Sequence, residues 1–221
     1  MLFRSKKQSG CGDFDAYFQQ TMPTMKNNAG ILITNPNSLM SYSDLYMKAF
    51  EHCEIYSAWD VQGEVFKHIM QSHEYIRGQV VPNKQMIWSF ALDVFHYIYD
   101  PKCWTKSLCG KRILIVSPFI DSIREKIGVR KEIYDGVDLF PDCTFEFVKP
   151  PQTQGSQYSR EFIIELGEFT KILDEYRDKY DIALVSCGGY GNLVCDYIYE
   201  KHKKSAIYVG GVLQMYFGIL G

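Results

Sequence analysis

The feature that most constrains the fold is an alternation of strand-like and helix-like segments between residues 112 and 209. Four short runs are apolar nearly throughout, and charged or amphipathic segments separate them. The runs lie in the segments KRILIVSPF, TFEFVKPP, DIALVSCGGYG and SAIYVGG. Strands that are apolar on both faces are typical of a parallel sheet that helices cover. The alternation therefore predicts an α/β fold with a parallel sheet in the C-terminal half.

The N-terminal half favours helix over strand. Apolar spacing there predicts four helices and two short strands. The helices are expected over residues 13–21, over NSLMSYSDLYMKAFEHC with Asn37 or Ser38 as its cap, over 63–71 and over 86–98, and the strands over 29–33 and 53–58. We therefore predict a helix-rich part, 1–105, with one or two strands, packed on the sheet, and a βα domain, 106–221. A single continuous domain is the alternative.

Composition argues against several classes of protein. The net charge is −2, so no overall field attracts nucleic acid or an anionic membrane. No run of about 18 apolar residues predicts a membrane span, and the start MLFRSKKQSGCGDFD lacks the apolar core of a secretory signal. The seven cysteines have neither CxxC nor zinc-finger spacing, which favours buried, reduced thiols. We expect a cytoplasmic protein, or one of the host cytoplasm if it is viral.

Ligand binding is expected at the carboxyl ends of the predicted strands, where open α/β sheets bind ligands. Four turns meet at this edge and carry glycines and neutral hydrogen-bonding side chains, with Lys149 as a rare charge. These turns are Ser117–Phe119, Pro150–Gly155, Ser186–Asn192 and Gly210–Gln214.

The turn Ser186–Asn192 is the most informative of the four. Its spacing, Gly188-Gly189-x-Gly191, matches neither the GxGxxG fingerprint nor the P-loop. Glycines let the backbone approach a ligand closely, and free amides at a helix start favour phosphate. The alternative is a tight turn that needs glycines only for packing. A second glycine pair, at residues 210 and 211, follows the next strand and favours a diphosphate or nucleotide site.

Carboxylates suited to a cation or to base catalysis are scattered. Asp13 and Asp15 form a D-x-D pair, which either shares one Mn²⁺ or Mg²⁺ with a diphosphate or lies in a solvated loop. Asp60 and Glu64 follow a predicted strand, and Asp93 lies three residues before a histidine in an apolar segment. These last three are the candidate catalytic bases. The alternatives are a solvated turn for the first two and a satisfied buried pair for Asp93.

The stretch YDIALVSCGGYGNLVCDYIYEKHKKSAIYVGGVLQMYFGILG resembles the C-terminal motif of the GT-D type glycosyltransferase family and of related bacterial and giant-virus proteins. WTKSLCGKRILIVSPFIDSI is similar to that family's tryptophan-containing strand–loop–helix segment, and PPQTQG before an acidic amphipathic helix also fits. The resemblance covers residues 27–221 and is specific from 104 onward. It implies a Rossmann-like three-layer α/β/α fold and a glycosyltransferase that uses a nucleotide-diphospho-sugar.

The resemblance also implies roles for particular residues. The donor's nucleotide or diphosphate would be held by Ser186, Gly188, Gly189, Gly191 and Asn192, with Gly210, Gly211 and Gln214 on the other side and Ser117, Gln152 and Gln154 completing the pocket. The family's acidic metal motif has its only similar stretch here in Gly12-Asp13-Phe14-Asp15. The chain is therefore expected to be shortened at both ends relative to the family, or to lack the metal site.

We therefore predict a glycosyltransferase that transfers a sugar from a UDP- or GDP-sugar to a glycan acceptor, assisted by Mn²⁺ or Mg²⁺, in glycan or polysaccharide synthesis. The alternative is a non-catalytic module for nucleotide binding, sugar binding or protein interaction, derived from the same fold. A homodimer is a further expectation, because the apolar segment Val212–Leu220 offers a docking face for a second copy.

Overall fold

Two parallel β-sheets and the helices around them make this a mixed α/β protein. The computed structural model describes residues 14–58, 67–94 and 98–220. Contacts between residues divide the chain into two units. Unit one runs to Ser89 and includes Gln152–Glu165, and unit two comprises Phe90–Pro151 and Leu166–Gly221. In the described ranges, no helix is both long enough and apolar enough to cross a membrane.

Unit one is built mainly from helices, and its two strands form a small sheet. Its elements are α1 (Phe14–Thr24), α2 (Pro36–His52), β1 (Ile55–Ala58), α3 (Lys67–Tyr75) and β2 (Gln85–Trp88). Helix α2 begins after Asn35, whose Oδ1 accepts a hydrogen bond from the Ser38 N–H at 3.0 Å. Pro36 occupies the first helical position, where its fixed φ is favourable. The cap is therefore Asn35, and not Asn37 or Ser38 as predicted.

Two sequence-based predictions for this half are wrong. Residues 29–33 belong to no strand, although Ile31 and Ile33 are buried as a strand's inner face would be. The described residues of 86–98 form no continuous helix, because β2 occupies Gln85–Trp88 and pairs in parallel with β1. The partner strand is distant in the chain, so apolar spacing within the segment carries no sign of this pairing.

Unit two contains a four-stranded, wholly parallel sheet in the order β4-β3-β5-β6. Its strands are β3 (Arg112–Val116), β4 (Thr144–Val148), β5 (Ile182–Val185) and β6 (Ser205–Tyr208). The helices between them are α4 (Ile120–Ile127), α5 (Arg130–Ile133), α6 (Phe162–Asp174), which begins in unit one, and α7 (Gly191–Tyr197), which continues into the helical turn Ile198–His202. All four predicted strands are confirmed, and a 3₁₀ helix, Gly210–Phe217, follows β6.

Both faces of the central strands are buried. Ile113 and Ile115 of β3 and Leu184 of β5 belong to one apolar cluster, together with Phe140 and Phe217. The residues between them alternate to the opposite face of the sheet. They are also fully buried, and they are Leu114, Val116, Ala183 and Val185. This two-sided burial explains why β3 and β5 are apolar at nearly every position.

The apolar segment near the C-terminus contributes to this core. Tyr216 and Phe217 are buried, and the Tyr216 hydroxyl accepts a hydrogen bond from Trp104 Nε1 at 2.9 Å and donates one to the Leu92 carbonyl at 2.7 Å. Most of Val212–Leu220 is therefore occupied within unit two and is not the docking face that the sequence predicted. The homodimer stays a prediction.

A polar network lies at the amino ends of the strands in unit two. The Tyr180 hydroxyl is 2.7 Å from His202 Nδ1, and His202 Nε2 is 2.9 Å from Asp174 Oδ1. Arg112 donates to Asp181 at 2.7 Å. The hydrogen bond from His202 holds the pKa of Asp174 below its usual value, and the hydrogen bonds from Arg112 lower the pKa of Asp181 to about 2. This edge is held together by charged and hydrogen-bonded pairs.

Candidate functional site

The carboxyl ends of the strands in unit two lie level with one another. Val116 is paired with Val185, and Val185 with Tyr208. The ladder extends one residue further, since the Ser186 N–H donates to the Val116 carbonyl at 2.7 Å and the Val209 N–H donates to the Val185 carbonyl at 2.9 Å. The turns that begin at Ser186 and Val209 therefore lie side by side at one edge of the sheet, as the sequence predicted.

The strand order reverses direction at this edge. From β3 the chain leads to β4 on one side, and then returns to β5 and β6 on the other side. Open α/β sheets bind ligands beyond the carboxyl ends at such a reversal. Ser117 follows β3 directly and Ser186 follows β5 directly, and both are more than nine-tenths buried. The two serines therefore mark the position where this topology favours a ligand.

Three buried polar side chains lie in the turns that follow β3, β5 and β6: Ser117, Ser186 and Gln214. Ser117 Oγ accepts a hydrogen bond from the Phe119 N–H at 3.2 Å. The side chains of Ser186 and Gln214 make no hydrogen bond to any residue that the structure describes. Buried polar groups are nearly always hydrogen-bonded to protein or water. The Ser186 hydroxyl and the Gln214 amide are therefore available for a ligand or a water molecule.

Tyr208, the last residue of β6, packs on the glycine turn. Its hydroxyl donates to the Gly188 carbonyl at 3.0 Å. Its ring lies so close to Gly191 that a Cβ at that position would be 2.2 Å from a ring atom. Gly188 has a φ of 54°, in the region that favours glycine. Local structure thus accounts for Gly188 and Gly191, in agreement with the alternative that this tight turn needs glycines for packing. Their role in ligand binding stays a prediction.

The remaining candidates in these turns have some exposure to solvent. Gly188 and Gly211 are exposed, while Gly189, Asn192 and Gly210 are half-buried. A Cβ built on residue 210 or 211 would meet no atom within 4 Å. The turn after β6 is therefore open on the side that its glycines face.

Two of the predicted ligand-binding residues, Gln152 and Gln154, belong to unit one. Gln154 Nε2 donates to the Asn28 carbonyl at 3.2 Å, and Gln152 is exposed. The Gln154 amide therefore has a partner within its own unit. The predicted part of both glutamines in a pocket with residues of unit two stays a prediction.

The structure describes two of the five acidic candidates. Asp15 is exposed in the first turn of α1, and Asp93 is half-buried just after a 3₁₀ turn, Ser89–Leu92. Outside the described residues lie Asp13, Asp60 and Glu64. Within 14–58, 67–94 and 98–220, no group of three or more His, Cys, Asp or Glu side chains is arranged to hold a metal ion. The metal and base assignments stay predictions.

A charged cluster next to β3 and β4 was missed in the sequence. Lys149 Nζ, one residue after β4, is 3.1 Å from Asp121 Oδ2, and Arg124 Nη1 is 3.6 Å from Asp121 Oδ1. The Arg124 guanidinium also lies 4.9 Å from the centre of the Phe147 ring. Two cations share one carboxylate here, so the cluster has net positive charge. The available signal was that Asp121 lies in the first turn of the helix after β3, while Lys149 directly follows β4.

Cys187 lies between Ser186 and the glycines but has the properties of a structural thiol. Burial raises its pKa well above the usual value. The thiol therefore stays protonated near neutral pH, whereas the thiolate is the reactive form. Cys103, Cys143 and Cys187 are buried and free, as predicted, while Cys109 is exposed.

Two cavities lie in unit one. One of about 280 Å³ is bounded by α2 and by residues 75–80, and the other, of about 310 Å³, lies beside α1 and is lined by Phe18, Met22 and Lys26 among others. Neither is lined by a candidate ligand-binding residue. The candidate site at the sheet edge therefore rests on its polar groups and topology.

Comparisons with protein-family models, with curated proteins and with solved structures find no match to this chain. The family resemblance inferred from the motifs therefore stays a prediction.

Proposed function

We propose that this chain is a glycosyltransferase with a Rossmann-like, three-layer α/β/α unit that binds a nucleotide-diphospho-sugar at the carboxyl edge of the β4-β3-β5-β6 sheet. The observation that carries the proposal is the reversal of strand order between β3 and β5, with Ser117 and Ser186 beside it. Burial of β3 and β5 on both faces supports the three-layer arrangement. A UDP- or GDP-sugar is the proposed donor and a glycan the proposed acceptor.

The groups at this edge suit a phosphate-containing ligand with many oxygens. The Ser186 hydroxyl and the Gln214 amide are donors with no hydrogen bond to a described residue. Lys149 adds a positive charge next to the end of β4. Hydrogen bonds from charged donors to phosphate are about twice as strong as those between neutral groups. In this proposal Lys149 donates a charge-assisted hydrogen bond to the diphosphate, while hydrogen bonds from Ser186 and Gln214 orient the ligand.

The reaction would be a displacement at the anomeric carbon. The bond from this carbon to the diphosphate oxygen breaks as the acceptor oxygen bonds to the carbon, and a base takes the acceptor's proton. Donors at the sheet edge stabilise the negative charge that develops on the leaving diphosphate. The candidate bases are Asp93, which the structure describes, and Asp60 and Glu64, which lie outside the described residues.

A divalent cation would supply Lewis acidity to the leaving diphosphate. Mn²⁺ or Mg²⁺ bound by Asp13 and Asp15 is the sequence-based proposal. Of this pair the structure describes only Asp15, an exposed carboxylate that does not form a cation site by itself.

A non-catalytic nucleotide- or sugar-binding module is the second candidate. The turns Ser117–Phe119, Ser186–Asn192 and Gly210–Gln214 contain no carboxylate, and Asp121, in the first turn of α4, is paired with Lys149 and Arg124. The polar and charged side chains at this edge can bind a ligand, whereas base catalysis needs a carboxylate in addition to Asp121. Binding without turnover would favour this second candidate.

Calorimetry with UDP and GDP, with and without Mn²⁺, tests the proposal. We expect binding of at least one of the two nucleotides with a Kd of about 1 mM or lower, which corresponds to about 4 kcal/mol. Hydrolysis of the matching nucleotide-sugar, or transfer to an acceptor, would then separate the transferase from the binding module. No binding of either nucleotide under any of these conditions would overturn the transferase and the nucleotide-binding form of the second candidate.

Two variants locate the site. Lys149→Ala should weaken nucleotide binding about tenfold, the equivalent of one charge-assisted hydrogen bond of about 1.4 kcal/mol. Lys111→Ala is the matched control, because Lys111 is exposed and precedes β3 at the opposite edge of the same sheet. Equal affinities for the two variants would place the nucleotide elsewhere.

A further inference from the structure

Three backbone carbonyls of one loop in unit one point at a single ammonium group. Lys26 Nζ donates to the carbonyl of Thr153, to that of Gly155 at 3.1 Å and to that of Gln157 at 2.9 Å. An ammonium has three N–H donors, and all three are used here. The carbonyls come from alternate residues, so the loop 153–157 curves around the charge.

The loop and the lysine are also fixed to each other through their backbones. The Gly155 N–H donates to the Lys26 carbonyl at 3.3 Å, and the Gly30 N–H donates to the same carbonyl at 3.2 Å. Thr153 Oγ1 donates to the Gly30 carbonyl at 2.6 Å, and Thr153 is buried. These bonds hold the carbonyl cluster in register with the turn that carries Lys26.

No carboxylate neutralises this ammonium in the described part of the chain. Lys26 has hydrogen bonds to carbonyls only, and no Asp or Glu that the structure describes lies within ion-pair distance. Converging carbonyl dipoles repel one another unless a cation lies among them. Backbone carbonyl oxygens can replace the hydration shell of a monovalent cation, as they do for K⁺ in channel filters.

We infer that the carbonyls of Thr153, Gly155 and Gln157 form a receptor for a monovalent cation of the ammonium or potassium class, which this chain fills with its own Lys26 side chain. The tethered cation keeps loop 153–157 ordered. When Lys26 is removed or neutralised, for example by acetylation, the receptor is free to take a cation from solution. This inference is independent of the proposed transferase activity.

Chemical rescue tests the inference. Lys26→Ala deletes three methylene groups and the ammonium, which together correspond to propylammonium. We expect the Gly155 N–H to exchange with solvent at least about tenfold faster in this variant than in the wild type. Propylammonium or K⁺ at about 50 mM should restore slow exchange by mass action, whereas tetramethylammonium, which has no N–H donor and is larger, should not.

Matched variants separate the charge from other effects. Lys26→Met keeps the apolar stem beside the cavity that it lines and loses only the ammonium, so it should show the same fast exchange. Lys48→Ala, at an exposed position of α2 in the same unit, should exchange like the wild type and gain nothing from propylammonium. If both Lys26 variants fail to fold in plain buffer, their refolding yield in propylammonium against tetramethylammonium gives the same comparison. Equal effects of the two salts, or unchanged exchange in Lys26→Met, would overturn the inference.

Discussion

The two edges of the sheet in unit two differ in how their polar groups are used. At the amino edge, Arg112 is paired with Asp181, and the buried His202 joins Tyr180 to Asp174. At the carboxyl edge, Ser186 and Gln214 are buried without a hydrogen bond to a described residue. The polar groups of one edge are therefore used for stability, while two of those at the other edge remain available for a ligand.

This difference is expected for a sheet that binds a ligand at one edge only. A buried polar group with a partner contributes about 1 kcal/mol to stability, whereas one without a partner costs about 1–3 kcal/mol. The polar atoms of Ser186 and Gln214 are not among the fully buried, unpartnered side-chain atoms, so they retain contact with solvent and are kept for a ligand at little cost in stability. Variants can test this difference. Removing a polar group at the amino edge should reduce stability, whereas removing the Ser186 hydroxyl at the carboxyl edge should not.

The largest expected effect is at the amino edge. His202→Ala should lower the free energy of unfolding by about 3 kcal/mol, because it leaves the fully buried Tyr180 hydroxyl without its partner and creates a cavity. Urea unfolding of the whole chain, followed by circular dichroism, measures the change. Lys201→Ala, an exposed neighbour, is the control and should change stability by less than about 0.5 kcal/mol. A similar small effect for both variants would mean that the network does not stabilise this edge.

The next largest effect tests whether packing alone explains a glycine of the carboxyl edge. Gly191 has helical φ and ψ values of −55° and −52°, so alanine is compatible with the backbone there. The new Cβ would be 2.2 Å from the Tyr208 ring, and we expect a loss of about 2 kcal/mol from this overlap. The free energy of unfolding from urea titration checks this value.

A double-mutant cycle isolates the cause of that loss. With Tyr208→Ala in place, Gly191→Ala should become neutral or stabilising by up to about 1 kcal/mol, since alanine favours helix over glycine. The same loss in both backgrounds would show that the Tyr208 ring is not responsible. Another cause, such as a ligand that binds close to residue 191, would then have to explain why this position is a glycine.

The order of elements in unit two was predictable from the sequence, whereas the use of individual residues at its edges was not. Runs such as RILIV and IALV are buried on both faces, so their composition alone predicts parallel strands. The contact between Gly191 and Tyr208 depends on two residues from different elements, which sequence spacing does not reveal. The same holds for the cluster of Lys149, Asp121 and Arg124.

In unit one, long-range pairing overrode the local pattern. The apolar segment that begins at Met86 has helical character by composition, yet its first three residues pair with residues 56–58 as a strand. Lys26 showed no signal at all in the sequence, because its three partners are backbone carbonyls about 130 residues away in the chain. Backbone acceptors are the same for every residue type, so no side-chain pattern indicates them.

A smaller effect concerns the pH dependence of the amino edge. The pKa of Asp181 is about 2 in the folded protein, below the value of about 3.9 for an unfolded chain. Its contribution to stability is therefore fully present above pH 5 or so, and is lost as the pH falls from about 4 towards 2. Unfolding free energies of the wild type and of Asp181→Asn should differ by a constant amount above pH 5 and converge below it. Because the ion pair with Arg112 is solvent-exposed, this difference should be smaller than that of His202→Ala. If the difference in unfolding free energy between the two proteins stays constant down to pH 2, the lowered pKa of Asp181 would be contradicted.

The smallest effect on stability is expected where the sheet edge is proposed to bind. Ser186→Ala removes a buried hydroxyl that has no hydrogen bond to a described residue, so the free energy of unfolding should change by less than about 0.5 kcal/mol or rise slightly. Nucleotide affinity should fall about threefold to tenfold, because one hydrogen bond to the ligand is lost. Ser205→Ala, at the exposed start of β6 on the amino edge, is the control and should leave affinity unchanged. A large loss of stability in Ser186→Ala would mean that the hydroxyl has a structural partner, and the two edges would then no longer differ in the way proposed.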